Sequence, residues 1–219
     1  MIKCCIFDLD GTLFNTLTTI TYYMNTTLRN NGIDEITEEE CRIFIGNGAR
    51  TLVRRALESK NIFDDEIAYK VWFEYNRAYN ANTLYLTKVY DGIVELIAAL
   101  RERGVKLGVL SNKPDDTTGN IVSEFFPKDT FDIVRGGRDS VPLKPAPDGL
   151  ILLMNDLGVS PDEVMYIGDT GVDIKTGKSA GVNKTVGVLW GFRSREELER
   201  EGADIFAATS ADILNEVDR

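Results

Sequence analysis

No histidine occurs in the chain. That removes the side chain most often used for proton transfer near neutral pH and for holding transition metals. Any acid–base or metal chemistry must therefore run on carboxylates, lysine, tyrosine or cysteine. Cysteine is scarce as well. Three residues, an odd number with Cys4 and Cys5 adjacent inside an apolar run, offer no disulfide framework. The one lysine and few apolar residues before Asp8 are too short for a signal-peptide core, so a reducing, cytoplasmic location is expected. No apolar run approaches the roughly eighteen residues of a membrane span. Basic residues are in the minority, 25 Lys and Arg against 35 Asp and Glu for a net charge of −10, which argues against nucleic acid as a partner.

What is present is apolar content, 43% of 219 residues, sufficient for a substantial core. Its patterning changes along the chain. A short strand-like run, Lys3 to Phe7, ends in Asp8-Leu9-Asp10-Gly11-Thr12. Four helices follow without an intervening strand. The first carries Leu17, Ile20, Tyr23 or Met24, and Leu28; the second starts at Thr37 with capping-box spacing to Glu40. The third carries Leu52, Val53, Ala56 and Leu57, and the fourth Ile67, Val71, Tyr75 and Ala78. From about Tyr85 strands and helices alternate, with strands expected at Val105–Leu110, Phe131–Val134, Val164–Ile167, Thr185–Leu189 and Asp204–Phe206. The expected fold class is α/β: a doubly wound, parallel-sheet (Rossmann-like) core, with an all-helical cap inserted after the first strand. The core would comprise residues 1–14 and 85–219 and the cap 15–84. A cap so placed would lie over the active edge of the sheet as a lid.

Polar residues collect at the carboxyl ends of the expected strands, where parallel sheets bind ligands. The first strand ends in Asp8 and Asp10, and the strand after Val105 runs into Ser111-Asn112-Lys113-Pro114, a hydroxyl and backbone N–H groups suited to a phosphate oxygen. A further loop holds Lys144 between Pro142 and Pro145, and the Val164 strand ends in Gly168-Asp169 with Asp173 four residues on. If these edges converge, four carboxylates meet. Two like charges about 4 Å apart repel by roughly 4 kcal/mol near a protein surface, so a cation is expected among them. All-oxygen ligation without histidine or thiolate favours Mg²⁺. A metal, a lysine, a serine hydroxyl and a strand-end aspartate together suit phosphoryl transfer.

These motifs resemble the haloacid dehalogenase-like hydrolases. Asp8-Leu9-Asp10-Gly11-Thr12 is similar to that family's first motif, Ser111-Asn112 to the second, Lys144 to the third, and Gly168-Asp169 with Asp173 to the fourth. They occur in order, and the resemblance covers essentially the whole chain. It implies Asp8 as the nucleophile that becomes aspartyl-phosphate and Asp10 as the acid–base. It implies Thr12, Ser111, Asn112 and Lys144 as substrate-binding, and Mg²⁺ held by Asp8, the Asp10 backbone carbonyl and Asp169, with Asp173 in support. Ile45 to Arg50, together with Ser111-Asn112-Lys113-Pro114 and Gly187 to Phe192, resembles the phosphoglycolate phosphatases within the family. Gly48 and Arg50 would then meet a small carboxylate. The function so implied is a Mg²⁺-dependent phosphatase of a small phosphorylated metabolite, 2-phosphoglycolate foremost. A sugar-phosphate phosphomutase, a pyrophosphatase of the same fold, and a non-catalytic binding protein are the alternatives. The residues leave monomer and homodimer equally open.

Overall fold

The computed structural model describes residues 1–218. By its internal contacts the chain divides into two units: Met1–Asn15 together with the chain from Val89 onward, and Thr16–Lys88.

The first strand, β1 (Cys4–Phe7), is buried along its whole length. Successive side chains of a strand point to opposite faces, so a strand covered on both sides must be apolar throughout. Cys5 and Phe7 enter one apolar layer, and Cys4 and Ile6 enter the other. The short strand β2 (Phe14–Asn15) follows.

The helical unit contains four helices. The first, α1 (Leu17–Asn30), buries Leu17, Ile20, Tyr23, Met24 and Leu28 on one side, as its spacing predicts. At the start of α2 (Glu38–Phe44) the Thr37 hydroxyl accepts from the Glu40 N–H at 3.1 Å. The Glu40 carboxylate accepts from the Thr37 N–H at 2.7 Å, which completes the expected capping box. The α3 helix (Ala49–Glu58) buries Leu52, Val53, Ala56 and Leu57. In α4 (Asp65–Ala81) the buried stripe differs from the expected one: it is Val71, Tyr75 and Tyr79, with Ile67 exposed and Ala78 half-buried. Rings decide this. Tyr79 packs against Tyr23 and Tyr75 with centroids 5.5 and 5.8 Å apart, contacts that alanine at the neighbouring position cannot make.

After β3 (Lys88–Val89), helices and strands alternate: α5 (Ile93–Glu102), β4 (Lys106–Pro114), α6 (Asp115–Phe125), β5 (Ile133–Gly137), α7 (Asp148–Leu157), β6 (Val164–Gly168), α8 (Gly171–Ala180), β7 (Lys184–Val188), α9 (Arg195–Arg200), β8 (Ile205–Ala207) and α10 (Ser210–Val217). They build a six-stranded parallel sheet in the order β5-β4-β1-β6-β7-β8. Leu100 of α5, Ile121 of α6 and Ile213 of α10 pack on one face, while Leu150, Leu153 and Leu157 of α7 pack on the other. The expected doubly wound α/β class is therefore what the chain forms. With β4 on one side of β1 and β6 on the other, strand order reverses beside β1, and ligands bind at such a switch point beyond the carboxyl ends. One strand is longer than expected. The Ser111–Pro114 segment, read from sequence as a loop, continues β4, and pairing with β5 resumes between Pro114 and Gly137 after an irregularity. Among the described residues no helix is long and apolar enough to cross a membrane.

Candidate active site

Asp8 stands immediately after β1, and its N–H donates to the Ile167 carbonyl at 2.8 Å, one more rung of the β1–β6 ladder. Backbone pairing thus sets the starting direction of its side chain. Lys144, from the segment between β5 and α7, brings its Nζ to 2.8 Å from Asp8 Oδ1 and 2.7 Å from Asp173 Oδ1, and donates to the Leu110 carbonyl at 3.2 Å. Asn112 holds the Lys144 main chain at two points. Its Oδ1 accepts from the Lys144 N–H at 2.8 Å, and its Nδ2 donates to the Lys144 carbonyl at 3.0 Å. Expected from sequence as a substrate ligand, Asn112 is placed by the structure as a brace for Lys144.

Asp173 lies in the first turn of α8 and is fully engaged. Its Oδ2 accepts from the Thr170 N–H at 3.1 Å and the Thr170 hydroxyl at 2.8 Å, while Tyr166 donates to Oδ1 at 3.3 Å. Asp169 is completely buried. It accepts from the Phe192 N–H at 2.7 Å on Oδ2 and, at a long 3.5 Å, from the Thr12 hydroxyl on Oδ1. The Trp190 indole donates to the Thr12 carbonyl at 3.1 Å. Gly11 has φ +83° and faces Asp169 so closely that a Cβ there would lie 2.1 Å from Asp169 Oδ2. Only glycine fits that position.

Asp8, Asp169 and Asp173 each offer one oxygen within 4.8 Å of the others, and all three residues are buried. Burial, then the Asp173 charge, push the Asp8 carboxyl up to about 7, against the pull of Lys144. Burial and the charges of Asp173 and Asp8 likewise raise Asp169 well above the usual carboxylate range. Burial works against the Lys144 ammonium, yet Asp173 and Asp8 hold it well above the ordinary lysine value. One ammonium among three buried carboxylates leaves negative charge in excess, and the donors are all oxygen. That set fits a hard divalent cation. Lys144 and Tyr166 contact one Asp173 oxygen and Thr170 the other, so Asp173 ties the lysine to the start of α8.

Asp10 lies on the same edge. Its Oδ2 is 3.2 Å from Lys113 Nζ, with the side chains 16% and 9% exposed respectively. Ser111 is buried, and its hydroxyl accepts from the Lys113 N–H at 3.1 Å. Gly48 and Arg50 belong to the helical unit. Gly48 precedes α3 with φ 83°, and the Arg50 guanidinium sits 4.3 Å over the Trp72 ring. Arg55 braces the same loop by donating to the Phe44 carbonyl at 2.9 Å and to Asn47 Oδ1 at 3.1 Å.

Sequence reasoning passed over Lys113, Tyr166, Thr170 and the Phe192 amide. Thr170-x-x-Asp173 does carry a legible signal, because it is the spacing of a capping box. Lys113 and the Phe192 amide meet Asp10 and Asp169 only across long stretches of intervening chain.

Residues 5–188 match the model of the haloacid dehalogenase-like hydrolase family. The phosphoglycolate phosphatase of Aquifex aeolicus is 33% identical over 187 residues, covering 85% of this chain and 84% of that protein. That of Rhodospirillum rubrum is 33% identical over 208 residues, covering 93% and 86%. A crystal structure from Lactobacillus delbrueckii subsp. bulgaricus, of a protein assigned by prediction as a phosphoglycolate phosphatase, has a TM-score of 0.93 at 30% identity and covers 98% of both chains. With a family model spanning most of its length and relatives that align nearly end to end, the chain belongs to the haloacid dehalogenase-like hydrolases.

Proposed function

We propose that this protein is a Mg²⁺-dependent phosphatase that hydrolyses 2-phosphoglycolate through an aspartyl-phosphate on Asp8. The observation that carries the reading is the buried Lys144 ammonium set between Asp8 and Asp173, with Asp169 alongside. The names borne by the Aquifex aeolicus and Rhodospirillum rubrum relatives support the substrate. Asp8, the Asp10 carbonyl and Asp169 would hold the metal, and Asp173 would keep Lys144 in place. Bound there, Mg²⁺ would offset the charge of the phosphoryl oxygens.

The chain's own residues then account for the two half-reactions. A carboxylate oxygen of Asp8 bonds to phosphorus as the bond from phosphorus to the glycolate oxygen breaks, and Asp10 gives a proton to that oxygen. In the second half Asp10 takes a proton from water, the water oxygen bonds to phosphorus, and the bond from phosphorus to Asp8 breaks. Inorganic phosphate leaves and Asp8 is restored. Lys144, the Ser111 hydroxyl and Thr12 are given the phosphoryl oxygens, where charge is concentrated.

Phosphate release from a panel of phosphomonoesters, pyrophosphate and sugar phosphates tests the substrate. The highest kcat/KM is expected for 2-phosphoglycolate, and a preference for pyrophosphate or for a sugar phosphate would reject it. Asp8→Asn should lower kcat at least about 10³-fold on every substrate, as loss of a nucleophile does. Turnover within tenfold of the wild type would remove Asp8 from that role.

A further inference from the structure

Lys113 Nζ lies 3.2 Å from Asp10 Oδ2, and the Lys113 side chain is only 9% exposed. Its main chain is held from several directions. The Lys113 N–H donates to the Ser111 hydroxyl at 3.1 Å, and the Lys113 carbonyl accepts from the Thr118 hydroxyl at 3.2 Å. On the next strand, Gly136 brings its backbone so close that a Cβ there would lie 2.6 Å from the Lys113 carbonyl oxygen. Asp115 ties the two strands by accepting from the Gly136 N–H at 2.7 Å. This is why β4 runs on to Pro114. A long, flexible side chain is thereby launched from a rigid base, which lowers the ordering cost of any contact its ammonium makes.

Resting on the reading of 2-phosphoglycolate as substrate, we propose that Lys113 is a specificity-determining residue that binds the substrate carboxylate. The argument is one of covalent geometry. Asp10 can protonate the leaving oxygen only within hydrogen-bond reach of it. In 2-phosphoglycolate the carboxylate carbon is two bonds from that same oxygen. A cation already in contact with the Asp10 carboxylate is therefore close to where the substrate carboxylate must lie. The recognised chemistry is a phosphate ester with a carboxylate on the adjacent carbon. Lys113 and Asp8 belong to the same unit of the chain.

The test compares 2-phosphoglycolate with ethyl phosphate, which has the same carbon skeleton without the carboxylate, using wild type, Lys113→Met and Lys113→Arg. A hydrogen bond to a charged group is typically worth roughly ten- to hundredfold. The ratio of kcat/KM for 2-phosphoglycolate to that for ethyl phosphate should fall by about that factor in Lys113→Met, mainly through KM, and recover in part in Lys113→Arg. Unaltered melting temperatures verify folding. Equal losses on the two substrates would make Lys113 a brace for Asp10 only and overturn the inference while leaving the substrate reading intact. A wild type without preference for 2-phosphoglycolate over ethyl phosphate would overturn both.

Discussion

The charge arrangement around Lys144 depends on single atoms. Asp173 contributes one oxygen to the ammonium and the other to Thr170, so it orients the lysine and caps α8 with the same carboxylate. Gly11 has a comparable double duty. Its φ of +83° turns the chain after Asp10, and its missing side chain leaves room for Asp169. Gly11→Ala should therefore cost stability by about 1–3 kcal/mol from backbone strain and displace Asp169 as well. A thermal melt with a parallel Mg²⁺ titration checks this. Weakened Mg²⁺ binding is expected along with the lower melting temperature, and a variant that matched the wild type in both would contradict the packing account.

At the level of elements, the strand ends are coupled by side chains that reach across sequence. Asn112 at the end of β4 clamps the main chain of Lys144, and Asp115 at the start of α6 reaches Gly136 in β5. Asn112→Ala removes two partly buried hydrogen bonds, each worth about 1 kcal/mol, and should destabilise the core by about 2 kcal/mol in urea unfolding. The same variant should raise the inhibition constant of inorganic phosphate, because Lys144 loses the brace that holds it. An unchanged constant would mean that Asp8 and Asp173 suffice to place the ammonium. The strand and helix pattern behind this coupling was legible. β1 is apolar at every position because both its faces are covered, and Thr37 and Glu40 announce α2 by spacing alone. The continuation of β4 was not legible, because Lys113-Pro114 reads locally as a turn. It pairs only because two glycines on β5 admit its backbone. The buried face of α4 was misplaced for a similar reason, since Tyr79 is selected by Tyr23 of another helix.

For the whole molecule, the excess of buried carboxylates links stability, pH and metal. Asp8 is pushed up to about 7 from an ordinary 3.8, so the folded state holds its proton more tightly than the unfolded chain does. That contribution is fully present below about pH 4 and is lost as pH rises through about 7; the raised Asp169 acts in the same sense. A cation that binds only the folded state adds stability, and it competes with these protons. Mg²⁺ should accordingly raise the melting temperature more at pH 8 than at pH 5, and EDTA should abolish turnover in a way that Mg²⁺ restores. A thermal shift independent of pH, or activity that survives chelation, would argue against a metal at this carboxylate cluster. Sequence alone determined the class of fold and the chemistry on offer, because periodicity records which faces are buried and acids at strand ends stand out against apolar runs. Tertiary structure alone decided which residues touch. The Lys144 ammonium meets Asp8 and Asp173, Asn112 turns to the Lys144 backbone, and Lys113 meets Asp10, because parallel strands far apart in the chain end side by side. No local pattern encodes such neighbours.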